Sequence, residues 1–179
     1  MKYRDKFKQF LKDLSKDSPS PGGGSASALV FCLGVSLMVM AINFSFDKNK
    51  PILVKVKKRL EKIRAKVFPY IDWDGEFFNQ VLKEKDSLKR KIHLENLVNL
   101  TYDLGCSCVE VLDITKISLP YIKKSIISDF YIGLEMVKVS LFSSIKNLEA
   151  NKIMFGIRES KKIDRLKLYL NKFKRWQNY

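Results

Sequence analysis

The chain has 179 residues, 46% of them hydrophobic, and a formal charge of +15 from 34 Lys and Arg against 19 Asp and Glu. That apolar content excludes a disordered polymer, and the length suits one domain, residues 1–179, with a core of its own. The cysteines Cys32, Cys106 and Cys108 and the lone histidine His93 exclude a secreted disulfide framework and offer no ligand spacing for a metal.

Apolar spacing is helical nearly throughout, which predicts an all-α bundle of about six to eight helices. Tyr3 to Leu14 places Phe7, Phe10, Leu11 and Leu14 on one face with lysines opposite. Pro19, Pro21 and Gly22-Gly23-Gly24 follow as a bare-backbone loop, where glycines allow conformations closed to other residues. Ser25 is the expected N-cap of an apolar helix running to Asn43. The unpaired N–H groups and positive dipole end there would suit an anion or polar ligand; a plain linker ahead of a core helix is the simpler alternative. The apolar run is near the minimum length of a membrane span, but Ser27, Gly34, Ser36 and the closing Asn43 also fit a central bundle helix.

Ile52 to Phe68 is a charged helix with Ile52, Val56, Leu60, Ile63 and Val67 inward, interrupted at Pro69. Asp72 and Asp74 open the next helix; Lys83 to Lys89 is a polar break; Arg90 to Leu112 continues with Leu94, Leu97, Leu100, Leu104 and Cys108 inward. Pro120 marks a further break, and Ser128-Asp129 caps a helix over Phe130 to Ala150 that ends by Gly156. A basic amphipathic C-terminal segment from about residue 157 carries Ile163, Leu166, Leu170 and Phe173 on one side, reaching Trp176.

The positive field attracts nucleic acid, anionic membrane or a polyanionic small molecule. No recognisable nucleic-acid module accompanies it, so a lysine-rich solvated surface is the simpler reading; nucleic-acid and membrane partners are not expected, and cytoplasmic residence is. Polar residues inside apolar sequence are the candidates for chemistry, because they are costly to bury alone. They are Asn43, Asp72, Asp74, Asp129 and the pair Asn147 and Asn151, one helical turn apart. Each also has a structural explanation: the aspartates as N-caps, Asn43 as a C-cap, the later asparagines as exposed residues.

The segment from Pro19 through Ser25 to Leu29, with Leu33-Gly34, Leu37, Met40 and Asn43 behind it, resembles the cyclodeaminase/cyclohydrolase family, whose opening motif is P-T-P-G-G-G-S before a small-residue helix. Ile71 to Val81 is similar to the family's I-D-x-D-x-x-A-F-x-x-V, Ile127-Ser128-Asp129 to its I-S-D, and Asn147 and Asn151 to its N-x-x-x-N. The chain departs at Asp47-Lys48-Asn49-Lys50, where the family has G-K-K-K, and around Lys123-Lys124-Ser125, where it has G-N-P-N.

The resemblance implies a dimeric helical bundle with a tetrahydrofolate site near the glycine loop, and no metal or cofactor beyond the folate substrate, whose glutamate tail a basic surface would suit. It also implies either of two reactions: cyclohydrolysis of 5,10-methenyltetrahydrofolate or cyclodeamination of 5-formiminotetrahydrofolate. With no formiminotransferase segment in this sequence, cyclohydrolysis is the first expectation. A diverged non-catalytic binder of the same fold, or a basic membrane- or nucleic-acid-associated helical protein, are the alternatives. Pro21, Gly22, Gly23, Gly24, Ser25, Asn43, Ser128, Asn147 and Asn151 are the expected substrate-binding residues. Asp129 is the expected acid/base group, since two preceding isoleucines would desolvate it, with Asp72 and Asp74 as further catalytic candidates.

Overall fold

The computed structural model describes residues 2–46, 50–157 and 160–174, and every regular element among them is helical. In order these are α1 (Tyr3–Leu14), α2 (Gly23–Ser45), α3 (Pro51–Val67), α4 (Tyr70–Lys83), α5 (Ser87–Ser118), α6 (Ile127–Phe155) and α7 (Ser160–Lys174). Short 3-10 turns at Leu119–Tyr121 and Lys124–Ile126 join α5 to α6.

Helix α2 is the centre of the bundle. Ala28, Phe31, Val35, Met38, Ala41 and Ile42 are wholly buried against α3, α4 and above all α6. It is the one described helix long and apolar enough to cross a bilayer, and 61% of its most apolar window lies inside the bundle. That burial fits a core helix.

Helices α2 and α6 run antiparallel at close range. The Ser140 hydroxyl donates to the Ser27 carbonyl (3.0 Å), and beyond the far end of the pair the Lys123 N–H donates to the Ser45 hydroxyl (2.9 Å). Midway, Gly34 and Gly133 face one another. A Cβ on Gly34 would lie 2.7 Å from the Gly133 carbonyl oxygen, and one on Gly133 would lie 2.6 Å from that of Gly34. Buried Ser27, Ser140 and Ser144 satisfy their hydroxyls on backbone carbonyls, so the seam is small and polar without orphaned donors.

On α3 and α5 the predicted stripes are the observed buried faces; on α1 no residue is buried, with Phe7 and Leu11 exposed and Phe10 and Leu14 half-buried, so that helix rests only lightly on the bundle. Val56, Leu60, Ile63 and Val67 of α3 and Leu97, Leu100, Leu104 and Cys108 of α5 are buried, while Ile52 and Leu94 are only partly so. Helix ends differ from expectation. Ser25 is not the N-cap of α2: that is Gly22, and the helix runs on to Ser45. Asp86 accepts from the Lys89 N–H (2.8 Å) and starts α5 earlier than the lysine-rich sequence suggests. Helix α6 starts at Ile127, with no side-chain cap from Ser128 or Asp129. Gly156 ends it in the left-handed conformation (φ 68°), as expected of a helix-terminating glycine. Ile163, Leu166 and Phe173 of α7 are buried, whereas Trp176 lies outside the described residues, as do Asp47, Lys48 and Asn49.

Candidate active site at the glycine loop

The loop enters α2 through a cis Ser20–Pro21 bond and an extended Gly22 (φ −132°, ψ −155°). Gly23 and Gly24 are already helical, and among the described residues only Gly156 has positive φ. The glycines are therefore not required for an unusual backbone conformation, contrary to the sequence expectation. They are required for room. A Cβ on Gly24 would lie 1.9 Å from Asp74 Oδ1 and 2.4 Å from Oδ2. One on Gly75, in α4, would lie 2.0 Å from the Ser20 Oγ. Beside Gly23 the nearest atom is Asn147 Oδ1, 3.2 Å from where a Cβ would be.

Asp74 uses that room. Its Oδ2 accepts the Ser25 N–H at 3.1 Å, so a carboxylate from α4 closes the first turn of α2. The anion seat expected at this helix end is taken by the protein itself, and the positive dipole end favours the charge it holds. Burial pushes the Asp74 carboxyl above its ordinary range, and the Ser25 N–H works in the opposite direction.

A pocket of about 520 Å³ opens beside this junction, between the end of α1, the loop and α4. Ser20, Pro21 and Ser25 form one wall, and Asp72, Glu76 and Asn79 of α4 form another. Asp13 and Lys16 stand on the α1 side, paired at 2.6 Å, and the ammonium of Lys16 holds the Asp13 carboxyl below its ordinary range. Ser25 is 1% exposed, and its hydroxyl has no hydrogen-bond partner among the described residues. An unpaired buried hydroxyl costs about 1–3 kcal/mol, so this wall is a place where a polar ligand would gain.

The expected site residues divide into two groups. Pro21, Gly22, Gly23, Gly24, Ser25, Asp72, Asp74 and Asn147 gather at the loop. Asn151 is buried one turn further along α6. Asn43, Ser128 and Asp129 lie at the other end of the antiparallel pair, where α2 finishes and α6 begins. At helical rise, Asp129 is about 27 Å from Asn147 along α6. The expectation of one pocket holding all of them within a single chain is corrected by this geometry: Asn43 is exposed on the last turn of α2, and Asp129 cannot reach a ligand at its own loop.

Glu76, Asn79, Asp13 and Lys16 were missed in the sequence reading. Glu76 was legible, being one turn from Asp72 on the same face. The α1 pair was not, because it joins the pocket only through tertiary packing. His93 sits 3.8 Å from Glu84 and lines a neighbouring pocket of about 300 Å³ that shares Asn79 with the loop pocket, and it does not line the loop pocket itself. Among the described residues no group of three or more His, Cys, Asp or Glu could hold a metal ion.

Comparison with known proteins adds three findings. The sequence model of the family described as formiminotransferase-cyclodeaminase matches residues 6–167. The chain is 26% identical over 164 residues to a methenyltetrahydrofolate cyclohydrolase of Methylorubrum extorquens, covering 78% of this chain and 79% of that protein. Its fold is similar to that of formiminotetrahydrofolate cyclodeaminase from Thermotoga maritima, with a TM-score of 0.79 at 19% identity over 92% of this chain and 86% of the other.

Proposed function

Because the chain belongs to the formiminotransferase-cyclodeaminase family, we propose that it interconverts one-carbon tetrahydrofolates at the glycine-loop pocket, with cyclohydrolysis of 5,10-methenyltetrahydrofolate as its reaction. The observation that carries this reading is the wall of that pocket: the buried, unpartnered Ser25 hydroxyl beside the carboxylates of Asp72 and Glu76. A pteridine presents ring N–H donors and a carbonyl, which carboxylates, hydroxyls and amides can pair. The sequence relative with a cyclohydrolase name favours hydrolysis over deamination.

In this reaction water adds to the methenyl carbon and a carboxylate takes its proton. The bond from that carbon to N5 then breaks as N5 receives a proton and the new hydroxyl gives up its own to become the formyl carbonyl, leaving 10-formyltetrahydrofolate and one proton released to solvent. Asp72, exposed in the pocket, is assigned the proton transfers, with Glu76 as its neighbour for ring N–H groups. Asp74 positions the loop through Ser25 and does not face the pocket. These steps need carboxylate and amide groups only, and the free thiols Cys32, Cys106 and Cys108 suit a reducing cytoplasm.

The test follows methenyl absorbance with 5,10-methenyltetrahydrofolate and, separately, 5-formiminotetrahydrofolate. Loss of absorbance with the first is expected, and Asp72→Asn is expected to lower kcat about 100-fold or more. Gain of absorbance with the second would assign cyclodeamination. Folate binding without turnover of either would make the chain a non-catalytic member of the fold.

The reading includes a homodimer. The outer faces of α2 and α6 carry Val30, Leu37, Met40, Ile132, Met136 and Val139, of which Ile132 and Val139 are 52% and 54% exposed. A two-fold axis in the plane of this face and across the helices would set each loop against the partner's end of α2 and start of α6. Asn43, Ser128 and Asp129 would then complete the partner's site, and each dimer would hold two equivalent composite sites. Ile132→Glu with Val139→Glu is expected to leave the helical circular dichroism intact and convert the dimer to monomer in sedimentation. Mixing refolded Asp72→Asn and Asp129→Asn chains is expected to restore about a quarter of wild-type activity, since half the dimers are mixed and each has one intact site. No recovery would place Asp129 outside the site.

A further inference from the structure

A second groove lies between α4 and α5, about 570 Å³ in volume and open to solvent, on a face of α4 turned away from the loop pocket. Tyr70, Trp73 and Phe77 stack along it. Successive ring centroids are 5.8 and 6.4 Å apart, with interplanar angles of 26° and 23°. Tyr70 is buried beneath, while Trp73 remains 41% exposed. An indole half in water at the centre of an aromatic ladder offers a flat apolar surface.

The rest of the groove is polar and cationic. Asn96 and Asn99 of α5 stand at its wall. Asn99 Oδ1 accepts from Lys162 Nζ at 3.1 Å, which orients the amide so that its nitrogen can donate. The lining carboxylate, Asp103, accepts from the Tyr70 hydroxyl at 2.5 Å and pairs with Lys66 at 2.6 Å, so its charge is already compensated. Lys162 and Arg165, the last against the Tyr102 hydroxyl, bring positive charge to the rim of a chain that is +15 overall.

We propose that this groove binds a nucleotide unit, with an unpaired base stacked on Trp73, its edge at Asn96 and Asn99, and its phosphate at the Lys162 and Arg165 rim. An aromatic face, amide groups for a ring edge and flanking cations are the parts that hold an unpaired base and its phosphate. No sequence module announces this groove, because its parts come from α4, α5 and α7 and meet only in the fold. The free nucleotide and a residue of a single strand share this chemistry.

Quenching of Trp73 fluorescence tests the proposal, in a Trp176→Phe background that removes the other of the chain's two tryptophans. The probes are adenosine 5′-monophosphate, adenosine and a short single-stranded oligothymidylate. Both phosphate-bearing probes are expected to quench, adenosine more weakly, with affinity falling as salt rises. Tighter binding of the oligonucleotide than of the monophosphate would identify a strand as the natural source; equal or weaker binding would identify the free nucleotide. In fluorescence-independent calorimetry, Trp73→Ala is expected to weaken binding about tenfold. Lys162→Gln with Arg165→Gln is expected to flatten the salt dependence. Asn96→Asp, an exposed change with no packing consequence, is expected to weaken binding while leaving methenyl turnover unaltered. Absence of quenching by both phosphate-bearing probes, or binding to Trp73→Ala and Asn96→Asp as tight as to the parent, would overturn the proposal.

Discussion

Gly24→Ala is expected to lower stability by about 3 kcal/mol and to abolish turnover. The added methyl would occupy the position of the Asp74 carboxylate, 1.9 Å from Oδ1, and this short, half-buried side chain can retreat only by giving up the Ser25 N–H. Displacing it would leave that N–H without its partner and reopen the first turn of α2. Chemical denaturation and methenyl absorbance measure the two effects. Asp74→Ala in the same chain removes the clash, so the double variant is expected to regain part of the stability lost by Gly24→Ala while remaining poorly active. Equal stability of wild type and Gly24→Ala would show that loop and α4 are not in this contact.

Gly34→Ala is expected to be as damaging for a different reason. Its Cβ would meet the Gly133 carbonyl oxygen at 2.7 Å and Met136 Cβ at 3.0 Å, and a backbone carbonyl in mid-helix cannot swing aside. The two central helices would have to separate along the whole seam, exposing or loosening Met38, Val137 and Leu141. A loss of about 3 kcal/mol, or about 10 °C in Tm for a chain of this size, is the expected result. Gly133→Ala should behave alike. The double variant should cost less than the sum, because both changes break one contact. Thermal unfolding by circular dichroism decides this, and a Tm shift below 2 °C would contradict the close crossing.

The fold was legible because its cause is local. Val56, Leu60, Ile63 and Val67 recur at helical spacing, and the same residues are the buried face of α3. Gly156 ended α6 for a reason contained in one residue, its left-handed φ. The site was legible in its composition but not in its arrangement. That Asp74 belongs with the glycine loop could be read from the resemblance; that it closes α2 through Ser25, forty-nine residues away, could not. Asn43 and Asp129 read as part of the loop's pocket because residue order carries no direction in space. Only the antiparallel pairing of α2 with α6 reveals that they stand at its opposite end. The Asp13–Lys16 pair joined the pocket through the placement of α1, which no spacing within α1 encodes.

The carboxylate seated at the start of α2 has a practical consequence. A glycine loop feeding a helix ordinarily collects sulfate or phosphate, so such buffers would be expected to compete with substrate. Here Asp74 already fills that place. Phosphate-buffered assays should therefore give the same KM as those in uncharged buffers of equal ionic strength. The same arrangement sets the direction of approach. Asp72 and Glu76 would pair with the N–H edge of a ring and repel an acidic tail, so a folate bound there as proposed would enter head first, with its glutamates trailing outward over a surface rich in lysine.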